Sequence, residues 1–374
     1  VTKPNASPLA IDTNAARTHA AGSLGRRTLL GAAGAAALIR PVRAAPKTKF
    51  KLAWTIYAGW MPWPWAAEHG VVARWAKKYG IEIEVVQIND YAESINQFTA
   101  GAFDALTVTN MDTLAVPAVG GVDSTAFIVG DFSNGNDAVI LKDKKTLADI
   151  KGQKVNLVQF SVSHYLLARA LASAKMTERD VKVVNTSDAD MAAAYKTADV
   201  TAVVTWNPIV QEIMADKTAN KVFDSSQIPG EIMDLCIANT ATLRENPALG
   251  KALTGAWYET LGIMSDDTDV GRAARGEMGR ASGTDLAGFE AQLKTTRMFY
   301  TPQDALGFAK SAALPKTMRL VADFLFAHDL LGQNAPSADV VGMSFPDGST
   351  LGNKDNVKFR FDDTFMQMAA DRKL

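Results

Sequence analysis

Short loops that follow predicted strands carry most of the side chains in this sequence that could recognise a small molecule. Tyr57 and Trp60 stand in 56–65, Asn89 and Asp90 in 88–91, Asn110 and Asp112 in 107–112, and Asn136 and Asp137 in 131–137. Ser163 and His164 follow in 161–164, Asp188 in 186–190 and Trp206 in 205–208. Segments 54–65, 87–94, 107–112, 131–137, 161–164, 185–190, 205–208 and 224–234 hold no Lys or Arg. Their ten acids are Asp90, Glu93, Asp112, Asp131, Asp137, Asp188, Asp190, Asp224, Glu231 and Asp234. Recognition of an oxyanion uses Arg, Lys or free N–H groups. A flat cation needs carboxylate acceptors and aromatic faces. The loops therefore point to a small neutral or cationic nitrogen compound.

Each residue also has a plainer role. Asn, Asp or Ser at a strand-to-helix junction caps the helix by accepting a free backbone N–H. Trp63 and Trp65 suit the core of a first helix, and His164 is open to either a structural role or ligand contact. What exceeds these roles is the coincidence of seven such loops on one edge. Reactive motifs are missing: there is no nucleophile elbow, no Gly-rich phosphate loop and no His-x-x-x-His pair, and 130–137 lacks the glycine spacing of a dinucleotide loop. A metal held by Asp112, Asp137 and His164 is a weaker alternative. The chain is expected to bind rather than catalyse, with no cofactor, no metal and no catalytic residue.

These loops must be positioned by alternating strands and helices. Strands are expected at 50–55, 81–87, 104–109 and 123–129, with helices from Pro62 to Lys78, at 91–100 and at 111–119. This βαβαβ pattern implies a parallel sheet. A second α/β unit follows, with strands at 138–141, 154–157, 181–185, 200–205 and 221–223, and a last strand at 234–239. Helices continue to about Leu331, and 335–374 reads as an irregular tail packed on a lobe. The expected class is α/β, with two Rossmann-like lobes, an interlobe cleft and a helical C-terminal part. Residues 45–137 and 235–374 make the first lobe and 138–234 the second. Open α/β sheets bind ligands beyond the carboxyl ends of their strands, so the loops would share the cleft and hinge motion would close it.

Composition is that of a globular chain: 374 residues, 47% hydrophobic, 21% charged and a formal net charge of −1. That charge supplies no field for nucleic acid or anionic membrane. Cys236 is the single cysteine, so no disulfide forms within the chain. Arg26-Arg27, the short apolar run 29–39 and the small-residue site Val42-Arg43-Ala44 predict a twin-arginine (Tat-type) signal peptide over 1–44.

The stretches Gly59-Trp60-Met61-Pro62-Trp63-Pro64, Gln87-Ile88-Asn89-Asp90-Tyr91, Thr109-Asn110-Met111-Asp112, 121–125, 130–137, 161–167, 185–190 and Thr205-Trp206-Asn207-Pro208 occur in order. Through them the chain resembles the nitrate/sulfonate/taurine and thiamine-precursor class of periplasmic binding proteins, over nearly all of 48–350. Within that class it looks like the subgroup associated with urea carboxylase operons. The resemblance implies a type II periplasmic binding fold, a periplasmic location, an ABC permease and ATPase as partners, contact with the membrane through that permease alone, and a monomer. It implies guanidine or urea as the small-molecule ligand. The alternatives are a sulfonate, nitrate or a thiamine precursor, or a pyrimidine-synthase-like enzyme on the same fold. That enzyme family carries a cysteine-rich motif, whereas this chain has only Cys236. In nitrate-binding relatives a His at the position of His164 and a residue near Asn136 contact the ligand. The basic residue those relatives use in the second lobe has no match around 205–208.

Overall fold

The computed structural model describes residues 47–374; the expected signal peptide lies outside the described residues. Two sheets organise the chain. The first begins with β1 (Lys49–Trp54), β2 (Glu82–Gln87), β3 (Ala105–Thr109) and β4 (Ser124–Ser133). The second contains β5 (Asp137–Lys142), β6 (Lys154–Leu157), β7 (Lys182–Asn185), β8 (Ala202–Trp206) and β9 (Ala219–Asp224). The chain returns to the first sheet with β10 (Met233–Asn239), β11 (Thr296–Met298), β12 (Gly342–Ser344), β13 (Thr350–Leu351) and β14 (Val357–Phe361). The strand orders are β13-β12-β14-β4-β10-β3-β1-β2, with β11 beside β4, and β7-β6-β8-β5-β9.

Both sheets are mixed rather than purely parallel. β10 runs antiparallel to β3 and β4, and β5 runs antiparallel to β8 and β9. The reason is connectivity. β4 and β9 end at the cleft and cross it, so β5 and β10 enter the opposite sheet from its carboxyl edge. The expected lobe bounds imply these crossings near 137–141 and 232–237, but the alternation of elements alone does not reveal the antiparallel pairing that they impose.

Burial follows from the residues. β3 (ALTVT) and β8 (AVVTW) are β-rich runs buried along their whole length, as central strands covered on both faces are. In the helix Tyr91–Thr99, Asp90 caps the N-terminus, while Tyr91, Ile95 and Phe98 recur at helical spacing and face the core. Trp63 stacks on Trp257 of the helix Pro247–Ser265, with ring centroids 5.0 Å apart, so it is a core residue. The 335–374 stretch departs from expectation: it adds β12, β13 and β14 to the first sheet. Its Gly, Asp and Ser content hides these short strands, but Phe359 and Phe361 alternate inward and are buried. Among the described residues, no helix is long and apolar enough to cross a membrane.

Candidate functional site

Strand register places the site. In the β3–β10–β4 ladder, Asp234 is directly opposite Thr109 on one side and Asp131 on the other. The register shifts between Asp234 and Leu235, leaving Gly130 as the extra residue that re-aims Asp131. In the second sheet, Asp137 at the start of β5 is opposite Trp206 at the end of β8. All of these residues sit at the edges that face the cleft.

Between the edges lies a cavity walled by Thr55, Ile56, Tyr57, Trp60, Tyr91, Thr109, Asp137, Val162, Trp206, Ile232 and Asp234. Its empty space is about 340 Å³, of which only about 20 Å³ admits the centre of a water-sized atom. The pocket therefore fits a ligand of a few atoms. Four aromatic rings form a continuous wall. Tyr57 meets Trp60 edge-on at 5.0 Å, Trp60 lies 5.9 Å from Tyr91, and Tyr91 meets Trp206 of the other lobe edge-on at 5.9 Å. No Lys, Arg or His belongs to this wall.

The acids are buried and mutually close. The Tyr57 hydroxyl donates to Asp131 Oδ1 at 3.1 Å, and Asp131 Oδ2 has no donor facing it. Gly59 permits this approach: a Cβ there would lie 2.5 Å from Asp131 Oδ2 and 2.6 Å from the Tyr57 ring. Burial lifts the Asp131 carboxyl to about 7, and a hydrogen bond with Asp234 and one from Tyr57 oppose that rise. Asp234 is raised too, by burial first and then by the charge of Asp131. Asp137 is pushed up to about 6 by burial, against hydrogen bonds from Ser133 and Asn136. Burial and these three carboxylates together raise the Tyr57 phenol.

The residues singled out in the sequence divide into two groups. Tyr57, Trp60, Asp137 and Trp206 line the cavity. Asp112 stands behind the wall, its Oδ2 accepting from Tyr91 and Thr109 at 2.8 Å each, and burial raises it to about 6. Asn136 is buried and donates to Asp137 at 3.3 Å. Asn110 is also buried, but it ties the returning chain: it donates to the Glu231 carbonyl and accepts from the Met233 N–H. Asn89 is exposed and pairs with Gln87, and Asp90 is a helix cap accepting the Glu93 N–H at 2.8 Å. Asp188 accepts the backbone N–H of Tyr91 and is raised to about 6, by burial and then by Asp90. Ser163 is buried off the wall, and its hydroxyl finds no partner among the described residues.

His164 does not reach the cavity. Its ring turns toward the helix Ala313–Ala327, where Nε2 lies 2.8 Å from Glu178 Oε1 and the ring packs on Phe324 and His328. His328 Nε2 is 2.5 Å from Glu178 Oε2, and its Nδ1 is 2.8 Å from the Phe324 carbonyl. Among the described residues, His164, Glu178 and His328 are the group whose ligand atoms cluster within 4.8 Å. As arranged, the Glu178 carboxylate bridges the two imidazoles, which is not the arrangement of a metal site. The Phe160 N–H donates to Nδ1 of His164, so the proton of that ring sits on Nε2. The N–O separations are also shorter than the roughly 3.3 Å between ligands around tetrahedral zinc.

Further contacts hold the segment that returns to β10 and cross between the lobes. Arg169 grips Glu231 through two hydrogen bonds of 2.8 and 2.9 Å, and Tyr165 donates to the same carboxylate. Asn207 donates to Thr295 at 3.2 Å. Sequence reasoning counted Asp131 and Asp234 among the edge acids without assigning them to the site. The signal was present: Asp234 interrupts the apolar run Met233–Asn239, and a lone acid in a buried strand needs a reason.

A family profile described as NMT1/THI5 like matches residues 66–267 of the chain. The chain belongs to that family. Part of it is 41% identical to a curated aliphatic sulfonates-binding protein of Escherichia coli strain K12; this match covers 64 residues, 17% of the chain and 20% of the relative. The chain thus matches about a fifth of the length of that relative. Among solved structures, it is similar to the alkanesulfonate-binding protein SsuA from Xanthomonas axonopodis pv. citri bound to MOPS (TM-score 0.64, 18% identity, 77% of this chain and 96% of that one). It is equally similar to the periplasmic aliphatic sulphonate binding protein SsuA from Escherichia coli (TM-score 0.64, 17% identity, 79% of this chain and 96% of that one). These structures share the α/β periplasmic-binding-protein fold of two sheets facing a cleft.

Proposed function

We propose that this family member is the periplasmic solute-binding component of an ABC-type importer, and that it captures a small, planar, nitrogen-rich solute, guanidinium before urea. The reading includes export by the Tat-type segment 1–44 and delivery to a permease and ATPase. It places lobe 1 at 45–137 and 235–374 and lobe 2 at 138–234.

The observation that carries the ligand class is the cavity wall. Asp137 from one lobe and Asp234 from the other stand among four aromatic rings, with no basic side chain. A planar cation can donate N–H groups to both carboxylates while its face lies on an aromatic ring. Urea has the same shape and N–H donors but no charge, so it gains less from the acids. The small free volume suits a ligand of four heavy atoms better than a longer sulfonate. No residue of the wall forms the nucleophile–base pair that would support the enzyme alternative.

The second reading is an aliphatic sulfonate, favoured by the 41% identical stretch shared with the sulfonates-binding relative. Against it, a sulfonate in this cavity would face two carboxylates and find no cation. Isothermal titration of the purified protein with guanidinium, urea, nitrate and taurine separates the two. Guanidinium should bind most tightly, and Asp137→Asn should weaken it by about 10- to 100-fold, the loss of a charged hydrogen bond in a desolvated site. Binding of taurine or nitrate alone would reverse the assignment.

A further inference from the structure

We infer that Asp131, which lies behind the cavity wall, acts through Asp234 to couple cation capture to release of a proton, and so makes the site select a cation over its neutral isostere in a pH-dependent way. This deepens the reading of the site as a cation pocket and rests on it.

The geometry carries the inference. Asp234 lines the cavity on one side and meets Asp131 across the β4–β10 pair on the other. The two residues are directly opposite one another in the β4–β10 register, and both are buried. Two carboxylates in contact in a dry environment cannot both be ionised without a compensating cation, so the ligand-free pair holds a proton. The groups that face the pair are few. Tyr57, from the turn after β1, donates to Asp131. Asp137 of β5 adds a further negative charge to both members. Thr296 of β11 interacts with Tyr57 rather than with the acids, and Tyr300 feels the charge of Asp131. None of these groups is a base that could neutralise the pair. Asp131 Oδ2, buried and without a donor among the described residues, is open to carry that proton.

A guanidinium docked on Asp234 and Asp137 supplies the missing positive charge. The pair then changes from one proton and one charge to two charges, and the proton leaves to solvent. Urea supplies no charge, so the proton stays. Because cation binding and proton loss are linked, guanidinium affinity must rise with pH below the pair's titration, by up to about tenfold per unit for one proton released. Urea affinity must stay level.

The experiment is calorimetric titration of the wild-type protein with guanidinium chloride and with urea between pH 5 and 8, in two buffers of different ionisation enthalpy. The expected result is a three- to tenfold gain in guanidinium affinity per pH unit below about pH 7, a buffer-dependent heat that reports proton release, and no such gain for urea. Asp131→Asn should lower the number of protons released. Guanidinium binding with a flat pH profile and no buffer-dependent heat overturns the coupling while leaving the cation pocket standing. Equal proton release in Asp131→Asn and wild type also overturns it. Failure of guanidinium to bind at any pH removes the cation reading and this inference together.

Discussion

Asp137 and Trp206 are direct cross-strand neighbours in the β5–β8 pair, so the second sheet presents a carboxylate and an indole from one spot on its cleft edge. Tyr91 of the first lobe closes on that indole edge-on. A cation held at Asp137 therefore sits beside an aromatic face, and part of its affinity must come from that face. Trp206→Leu keeps an apolar side chain and removes the ring. Guanidinium affinity should fall roughly 2- to 30-fold, equivalent to about 0.5–2 kcal/mol. Titration calorimetry measures the loss, and an unchanged dissociation constant would show that the indole serves the lobe contact alone.

Ligand-free protein should be more stable in mild acid than at neutral pH. Asp112, Asp137 and Asp188 are raised to about 6 and Asp131 to about 7, in each case first by burial. Unfolded aspartates titrate near 4, so between roughly pH 4 and 7 the folded state holds more protons than the unfolded one. Stability then falls as pH rises through that window. His328, raised by its hydrogen bond to Glu178, acts in the same direction, but only above its ordinary value near 6.5. A fall in Tm between pH 5 and 6.5 therefore belongs to the carboxyls. Thermal melts without ligand should show it, and saturating guanidinium should flatten it. A Tm that climbs over that interval would contradict the burial of these acids.

Glu178 ties the lobes together through His328. Burial opposes its charge, yet the contacts with His164 and His328 hold its carboxyl down at about 2. For a depressed acid, the stabilisation is present above its unfolded value near 4.5 and is lost as pH falls toward 2. Glu178→Gln removes the charge at all pH values, and the closed arrangement should become less populated. Small-angle scattering of the ligand-free variant should report a larger radius of gyration than wild type. Guanidinium affinity should drop a few-fold through the cost of closure. Identical scattering profiles would mean that Asn207–Thr295 and the aromatic contacts suffice to hold the lobes.

The residues themselves made much of the fold legible. Period-two and continuous apolar runs marked the strands, and Asp90 and the prolines marked helix starts. The polar loops had to fall on the carboxyl edges, because β-α units place them there whatever the sequence between. The base-free, acid-rich character of the cleft was equally readable, since composition survives folding. Tyr57, Trp60, Asp137 and Trp206 reached the cavity for that reason. What stayed hidden depended on direction. Asn89 and Asp90 stand two places and one place before Tyr91, yet the helix phase sends Tyr91 inward and leaves them to pair with Gln87 and cap the helix. His164 stands in the first turn of the helix Val162–Ser173, beside the cleft edge, but its ring faces Glu178 and His328.

Charge sign and the succession of strands and helices along the chain are local properties, set by residue type and spacing, and the chain carries them unfolded. The Asp131–Asp234 pairing and the antiparallel course of β10 are not. They arise because a strand returning from the second lobe inserts between β3 and β4 in one particular register. Register is a long-range choice, made by the packing of whole sheet faces, and a shift of one residue would send either acid to the other side.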